Sequence, residues 1–155
     1  MDLVVTQLHS IAKLPKGGIR EVILGMQALL QDSTSEVPLD YFPVRHEFSP
    51  GTYAREMTIP EGTVIIGRIH KHAHLNIISA GECTVLTEFG VQHLTAPCMF
   101  TSEPGTKRVV VAHSTVVWTT VHATNLTDVD EIIREFTTDT YTDIEVFADY
   151  ERVLP

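Results

Sequence analysis

From residue 44 to residue 122 the chain is a succession of short β-rich runs. They read VRHEF (44–48), TYAREMTI (52–59), TVIIGRIH (63–70), HLNIIS (74–79), ECTVLTE (82–88), VQHLTA (91–96), CMFTS (98–102), RVVVAH (108–113) and TVVWTTVH (115–122). Val, Ile, Thr and aromatic residues suit a pleated, half-buried surface. Turn chemistry separates the runs: Ser49-Pro50-Gly51, Pro60-Glu61-Gly62, Ala80-Gly81, Phe89-Gly90, Pro97, Pro104-Gly105 and Ser114. Short strands broken by turns at intervals of about ten residues predict a mainly all-β domain, a sandwich or barrel and not βαβ units.

On the N-terminal side, residues 1–17 are short and mixed, ending at Pro15 and Gly17-Gly18. GIREVILGMQALLQD follows, with Ile19, Val22, Ile23, Met26, Leu29 and Leu30 spaced along one helical face. That spacing predicts a helix over 19–31. DSTSEVPLDYFP is turn chemistry, and Pro38 and Pro43 forbid a helix there. On the C-terminal side, Thr127 reads as the cap of DVDEIIREF, with Asp130 as its box partner. A short helix is expected over 128–136, its acids in the first turn where the helix dipole favours them. IEVFADY mixes apolar and acidic residues, as a docked segment does. The expected organisation is one compact domain: an N-terminal arm and helix (1–43), a barrel (44–122), and a C-terminal helix with an acidic segment (123–155).

The chain has 155 residues, of which 43% are hydrophobic, enough for a core. Net charge is −9, but it is unevenly placed: from Asp128 onward nine acids face two arginines, whereas residues 1–127 carry only −2. No clustered Lys and Arg would neutralise phosphates, so nucleic-acid binding is not expected. No apolar run is long enough to span a membrane. MDLVVTQLHS has no basic region ahead of an apolar stretch, so no secretion leader is expected. Cys83 and Cys98 form no disulfide framework or metal knuckle and read as packing residues. Nucleophile-elbow, phosphate-loop and dinucleotide signatures are absent, and no catalytic residue is assigned.

The most chemical stretch is GRIHKHAHLNIISAG (67–81). His70, His72 and His74 alternate, so a continuous strand would turn all three to one face. Neutral imidazoles on one face suit a divalent transition metal such as Zn, Fe, Ni or Mn. A straight strand, however, sets residues i and i+4 about 13 Å apart, too far for one ion with bonds of about 2.0–2.1 Å. Two neighbours and outside ligands can share an ion, or the strand must break between them. His113 and His122 are further candidates. The alternative is that these histidines line a barrel mouth and bond to acids or water. Arg68 and Arg108 suit a small anion pocket, or ion pairs with barrel acids such as Glu82 or Glu103. Trp118 reads as core or interface, and a barrel mouth can collect Tyr53, Arg55 and Glu56.

This stretch resembles the first motif of the cupins, Gly-x5-His-x-His-x3–4-Glu-x6-Gly. Counting back from Gly81, His74 falls on the glutamate position, His70 on the second histidine and Arg68 on the first. The second cupin motif, Gly-x5-Pro-x-Gly-x2-His-x3-Asn, is matched by Glu103-Pro104-Gly105-Thr106-Lys107-Arg108. Arg108 stands in its histidine position and Ala112 in its asparagine position. The resemblance covers roughly residues 44–122 and implies a single jelly-roll barrel. Two arginines in ligand positions imply that the usual centre is altered, because arginine stays protonated. A second resemblance, carried by VRHEFSPGTYAREMTIPEGTVIIGRIHKHAHLNIISAG and the stretch around Pro104-Gly105, is to small cupin-like proteins of tailed bacteriophages. It implies phage origin more than any activity; the altered metal motifs and the acidic outer segment then lead to the expectation of a non-enzymatic, homo-oligomeric virion component (decoration, cement or tail-associated) made in the host cytoplasm, with other virion proteins as partners. The alternative implied by the first resemblance is a metal-dependent enzyme, or a binder of a small anion, using His70, His72 and His74.

Overall fold

A computed structural model describes residues 2–33, 42–142 and 144. Two helices lead the chain, α1 (Asp2–Ile11) and α2 (Lys16–Ser33). Eleven strands follow: β1 (Val44–Ser49), β2 (Thr52–Ile59), β3 (Val64–Ile66), β4 (Ile69–His70), β5 (His74–Ala80), β6 (Glu82–Thr87), β7 (Gly90–Thr95), β8 (Cys98–Ser102), β9 (Val109–Ala112), β10 (Val116–Ala123) and, after helix α3 (Val129–Phe136), β11 (Thr137–Thr138). The expected all-β jelly roll is present. One sheet has the order β1-β2-β10-β5-β8, the other β3-β9-β6-β7, and β11 pairs with β4.

Side-chain alternation explains how the layers stack. Ile59, Ile78, Val116 and Trp118 of the five-stranded sheet meet Cys83, Val85, Val110 and Ala112 of the four-stranded sheet in one buried cluster. The intervening residues Leu86, Val109 and Val111 face the other way and pack on Leu8, Ile19 and Ile23 of the two helices. Strand β9 is therefore buried on both faces, which is why it reads as the unbroken apolar run VVVA. Gly81 has φ +87, and a Cβ there would lie 2.3 Å from the Thr115 carbonyl oxygen, so the β5–β6 turn requires glycine.

Several sequence expectations change. Residues 2–11 form a helix, where a mixed arm was expected. Val4, Leu8 and Ile11 supply its i, i+4, i+7 face, and Leu8 is buried against the second sheet. The helix expected over 19–31 extends to Lys16–Ser33. TVIIGRIH divides into β3 and β4 around Gly67-Arg68. The cap of α3 is Asp128, whose carboxylate accepts from the Glu131 N–H at 2.9 Å, so Asp128 takes the role expected of Thr127. IEVFADY lies outside the described residues except for Ile144. No helix among the described residues is long and apolar enough to cross a membrane.

Candidate metal centre

Strand register places the site. Across β2, β10, β5 and β8, the inward side chains align in rows. One row is Met57, Trp118, Ile78 and Cys98, in the apolar core. The next is Arg55, Thr120, Asn76 and Phe100. Beyond it, Tyr53 pairs with His122, and His74 pairs with Ser102. The barrel interior thus turns from apolar to polar toward one end, and two histidines enter that end on neighbouring strands. The third arrives from β4. The chain bends through residues 71–73 before β5, and this break brings the His70 and His74 rings to 4.1 Å between centroids. The ring of His122 lies 4.8 Å from that of His74 and 5.5 Å from that of His70.

One ring nitrogen from each of His70, His74 and His122 lies within 4.8 Å of the other two. Ligands at about 2.1 Å from one tetrahedral ion stand about 3.4 Å apart, so the rings would have to draw together by up to about 1.4 Å to share a metal. Each of the three residues also carries a buried ring nitrogen without a hydrogen bond: His70 Nδ1, His74 Nε2 and His122 Nδ1. Each such orphan costs about 1–3 kcal/mol. The tautomer of His74 is fixed by its other nitrogen. Its Nδ1–H donates to the His72 carbonyl at 3.2 Å, leaving the Nε2 lone pair bare. A backbone carbonyl behind a ligand imidazole is the usual support for metal binding.

Electrostatics keep the triad neutral. Burial, then the neighbouring His74, His122, Arg108 and Arg55, push His70 down to about 2. Burial, then His74, His72 and Arg55, push His122 down to about 4. His74 is also lowered, chiefly by burial, against its bond to the His72 carbonyl. Neutral imidazole is the metal-binding form. The ring of Phe136, at the end of α3, stands edge-on to His122 at 5.1 Å and helps enclose the cluster. The Lys71 N–H bonds the Phe136 carbonyl at 2.8 Å, tying α3 to the β4 segment.

Of the residues expected from sequence, His70 and His74 come together. His72 does not join them, because the bend turns it onto Phe136, 5.2 Å between centroids. His122 completes the cluster. Its signal was strand parity: it shares a face with the core residue Trp118, four residues earlier. His113 goes elsewhere, to the helix-facing side of the second sheet, where its Nε2 lies 2.7 Å from Thr84 Oγ. Arg68 pairs with Asp139 at 3.2 Å on the surface. Arg108 points inward and bonds Ser102 Oγ, its guanidinium close to the Phe100 and Trp118 rings. The two arginines therefore have separate surroundings. Tyr53 is buried, with its ring 6.2 Å from that of His122 and its hydroxyl 2.7 Å from His46 Nδ1.

Among solved structures, salicylate 1,2-dioxygenase from Pseudaminobacter salicylatoxidans aligns with a TM-score of 0.51 at 13% identity. The match covers 74% of this chain and 34% of the dioxygenase, so this chain spans about a third of that protein. Ectoine synthase from P. lautus aligns with a TM-score of 0.51 at 17% identity, over 64% of this chain and 75% of the synthase. The fold is a cupin-like jelly roll. A cupin superfamily protein from Desulfitobacterium hafniense DCB-2 aligns at a TM-score of 0.47 and 9% identity, over 58% of this chain and 84% of that one. No family model matches the chain. No curated protein matches it either. Likeness at these identities concerns the fold, and function has to be argued from the site.

Proposed function

We propose that this cupin-like protein is a metal-dependent enzyme or binder of a small molecule, with His70, His74 and His122 holding one divalent transition metal. The observation that carries this reading is the convergence of three histidines from three strands, each with a buried ring nitrogen that has no hydrogen bond. A purely structural histidine cluster would be expected to bond to itself, to acids or to backbone, since buried polar groups are rarely left alone. Three imidazoles also match the ligand number of catalytic metal sites, which keep a position open for water or substrate. A metal held there supplies Lewis acidity to a bound oxygen or lowers the pKa of bound water. The protein's own part is support. The His72 carbonyl orients His74, Phe136 shields the cluster, and Arg55 and Arg108 add positive charge that favours an anion beside the centre.

The virion-component reading rests on the phage resemblance, and the triad supplies no feature that a decoration protein requires. The test is a calorimetric titration of chelator-treated, dialysed protein with Zn²⁺, Ni²⁺ and Mn²⁺. One site per chain is expected, lost in His74→Ala and His122→Ala and kept in His72→Ala. Binding that survives both substitutions would remove the triad as the site.

A further inference from the structure

Between the edge strands β7 and β8, where the two sheets part, lies a cleft of about 170 Å³. Its walls include Val85 and Leu94 from one sheet and Phe100 and Ser102 from the other, with Arg108 at its inner side. Ser102 pairs with His74 in the strand register, so it stands between this cleft and the triad.

The guanidinium of Arg108 is unusually placed. Its surroundings are desolvating enough to push its pKa down to about 10. It makes no ion pair among the described residues. Glu103, also on the cleft wall, is exposed and does not pair with it. Its hydrogen bond is to the Ser102 hydroxyl. That hydroxyl is itself set by Asn76 Nδ2 at 2.6 Å, and Asn76 Oδ1 accepts from Trp118 Nε1–H at 3.0 Å. The chain Trp118–Asn76–Ser102 thus braces one edge of the guanidinium, while the Phe100 and Trp118 rings lie 5.8 and 5.7 Å from it. An arginine carries five N–H donors in a planar fork, and only the bond to Ser102 uses any of them among the described residues. A desolvated charge without a counterion is expensive to hold. A fixed, pre-organised fork is instead suited to a planar anion arriving from the cleft.

We propose that this cleft binds a small monocarboxylate with an apolar body, its carboxylate on Arg108. The single positive charge matches one carboxylate, and the fork geometry matches its two oxygens. Val85, Leu94 and Phe100 receive the apolar part. The volume is well below the ~300–1,000 Å³ of drug-sized pockets, which selects a small ligand. The inference does not rest on the metal centre, although a carboxylate seated here would lie on the Ser102 side of His74.

Butanoate and its neutral counterpart butanamide are the probes, titrated into the full-length protein while its metal content is measured on the same sample. Butanoate is expected to bind about tenfold or more tightly than butanamide. Arg108→Gln should bring the two level. His93→Ala, in the separate histidine pair on the helix-facing side of the second sheet, should leave the butanoate preference in place. Equal binding of the two probes by the wild type, binding of neither, or a preference that survives Arg108→Gln overturns the proposal. Should Arg108→Gln not fold, the wild-type Arg108 Nε–H resonance decides: butanoate should shift it and butanamide should not, and an unmoved resonance contradicts the assignment. Metal-free protein that binds butanoate supports this inference while removing only the metal centre.

Discussion

The molecule holds two groups of histidines, on opposite faces of its sheet layers, and they behave as different objects. His70, His74 and His122 sit in the polar end of the barrel interior with three bare nitrogens. His93 and His113 sit on the helix-facing side of the second sheet, near Val5 and Thr6 of α1. There both histidines have side-chain partners: Glu82 Oε1 lies 2.7 Å from His93 Nε2, and Thr84 Oγ lies 3.3 Å from His93 Nδ1 and 2.7 Å from His113 Nε2. Residue type is the same in both groups. What differs is whether the fold supplies partners. The second group is a hydrogen-bonded network, whereas the first leaves three buried nitrogens without partners.

The sharpest way to break this contrast is to remove one imidazole from each group. His74→Ala or His122→Ala should weaken Zn²⁺ binding by more than about 100-fold, since even supporting residues typically cost 10–100-fold. His93→Ala and His113→Ala should leave the affinity unchanged by calorimetry. Equal losses from both groups would show that the metal is not held by the triad.

Acid separates the groups next. In the metal-free fold His70 is held down to about 2 and His122 to about 4, whereas unfolded histidine titrates near 6.5. Below 6.5 the unfolded chain takes up protons that the folded triad refuses. Stability is therefore full above about 6.5 and falls as pH drops toward 4, by a few kcal/mol for two such groups. Urea unfolding of metal-free protein at pH 7.5 and pH 5 should show the loss, and His122→Leu should reduce it. A flat profile between these pH values would mean that the triad is not buried in its neutral form.

The smaller effects lie in the second group. Thr84 is buried and its hydroxyl lies between two imidazoles, so Thr84→Val should cost about 1–2 kcal/mol in denaturant unfolding without altering metal uptake. The Glu82–His93 pair is about half exposed, and Glu82→Gln should change stability by at most about 1 kcal/mol. A larger loss from Glu82→Gln than from Thr84→Val would invert the account of that network.

The strands were legible because their signals are local: turn residues and β-branched runs mark β8 and β9 almost to the residue. Helix α1 was missed because Val4, Val5 and Thr6 weaken its propensity, although Val4, Leu8 and Ile11 carry the helical spacing and tertiary packing decides the outcome. Two of the three histidines of the centre were legible as well, with His122 a further candidate. Alternation put His70, His72 and His74 on one face, but the bend at 71–73 moves His72 away and brings His70 beside His74. The partner across the sheet, His122, is 48 positions from His74 in sequence. Only the pairing of β10 with β5 brings the two together, and that is set by the whole barrel. Arg108 shows the reverse case. An anion pocket shared with Arg68 was one reading of its residue type, but Arg68 pairs with Asp139 at the surface while Arg108 points inward.

The most direct measurement is native mass spectrometry of the protein purified without chelator, beside His122→Ala treated identically. The account predicts one divalent transition metal per chain in the wild type and none in the variant. Wild-type protein that is metal-free, and stays so after exposure to Zn²⁺, Fe²⁺, Ni²⁺ and Mn²⁺, would contradict it.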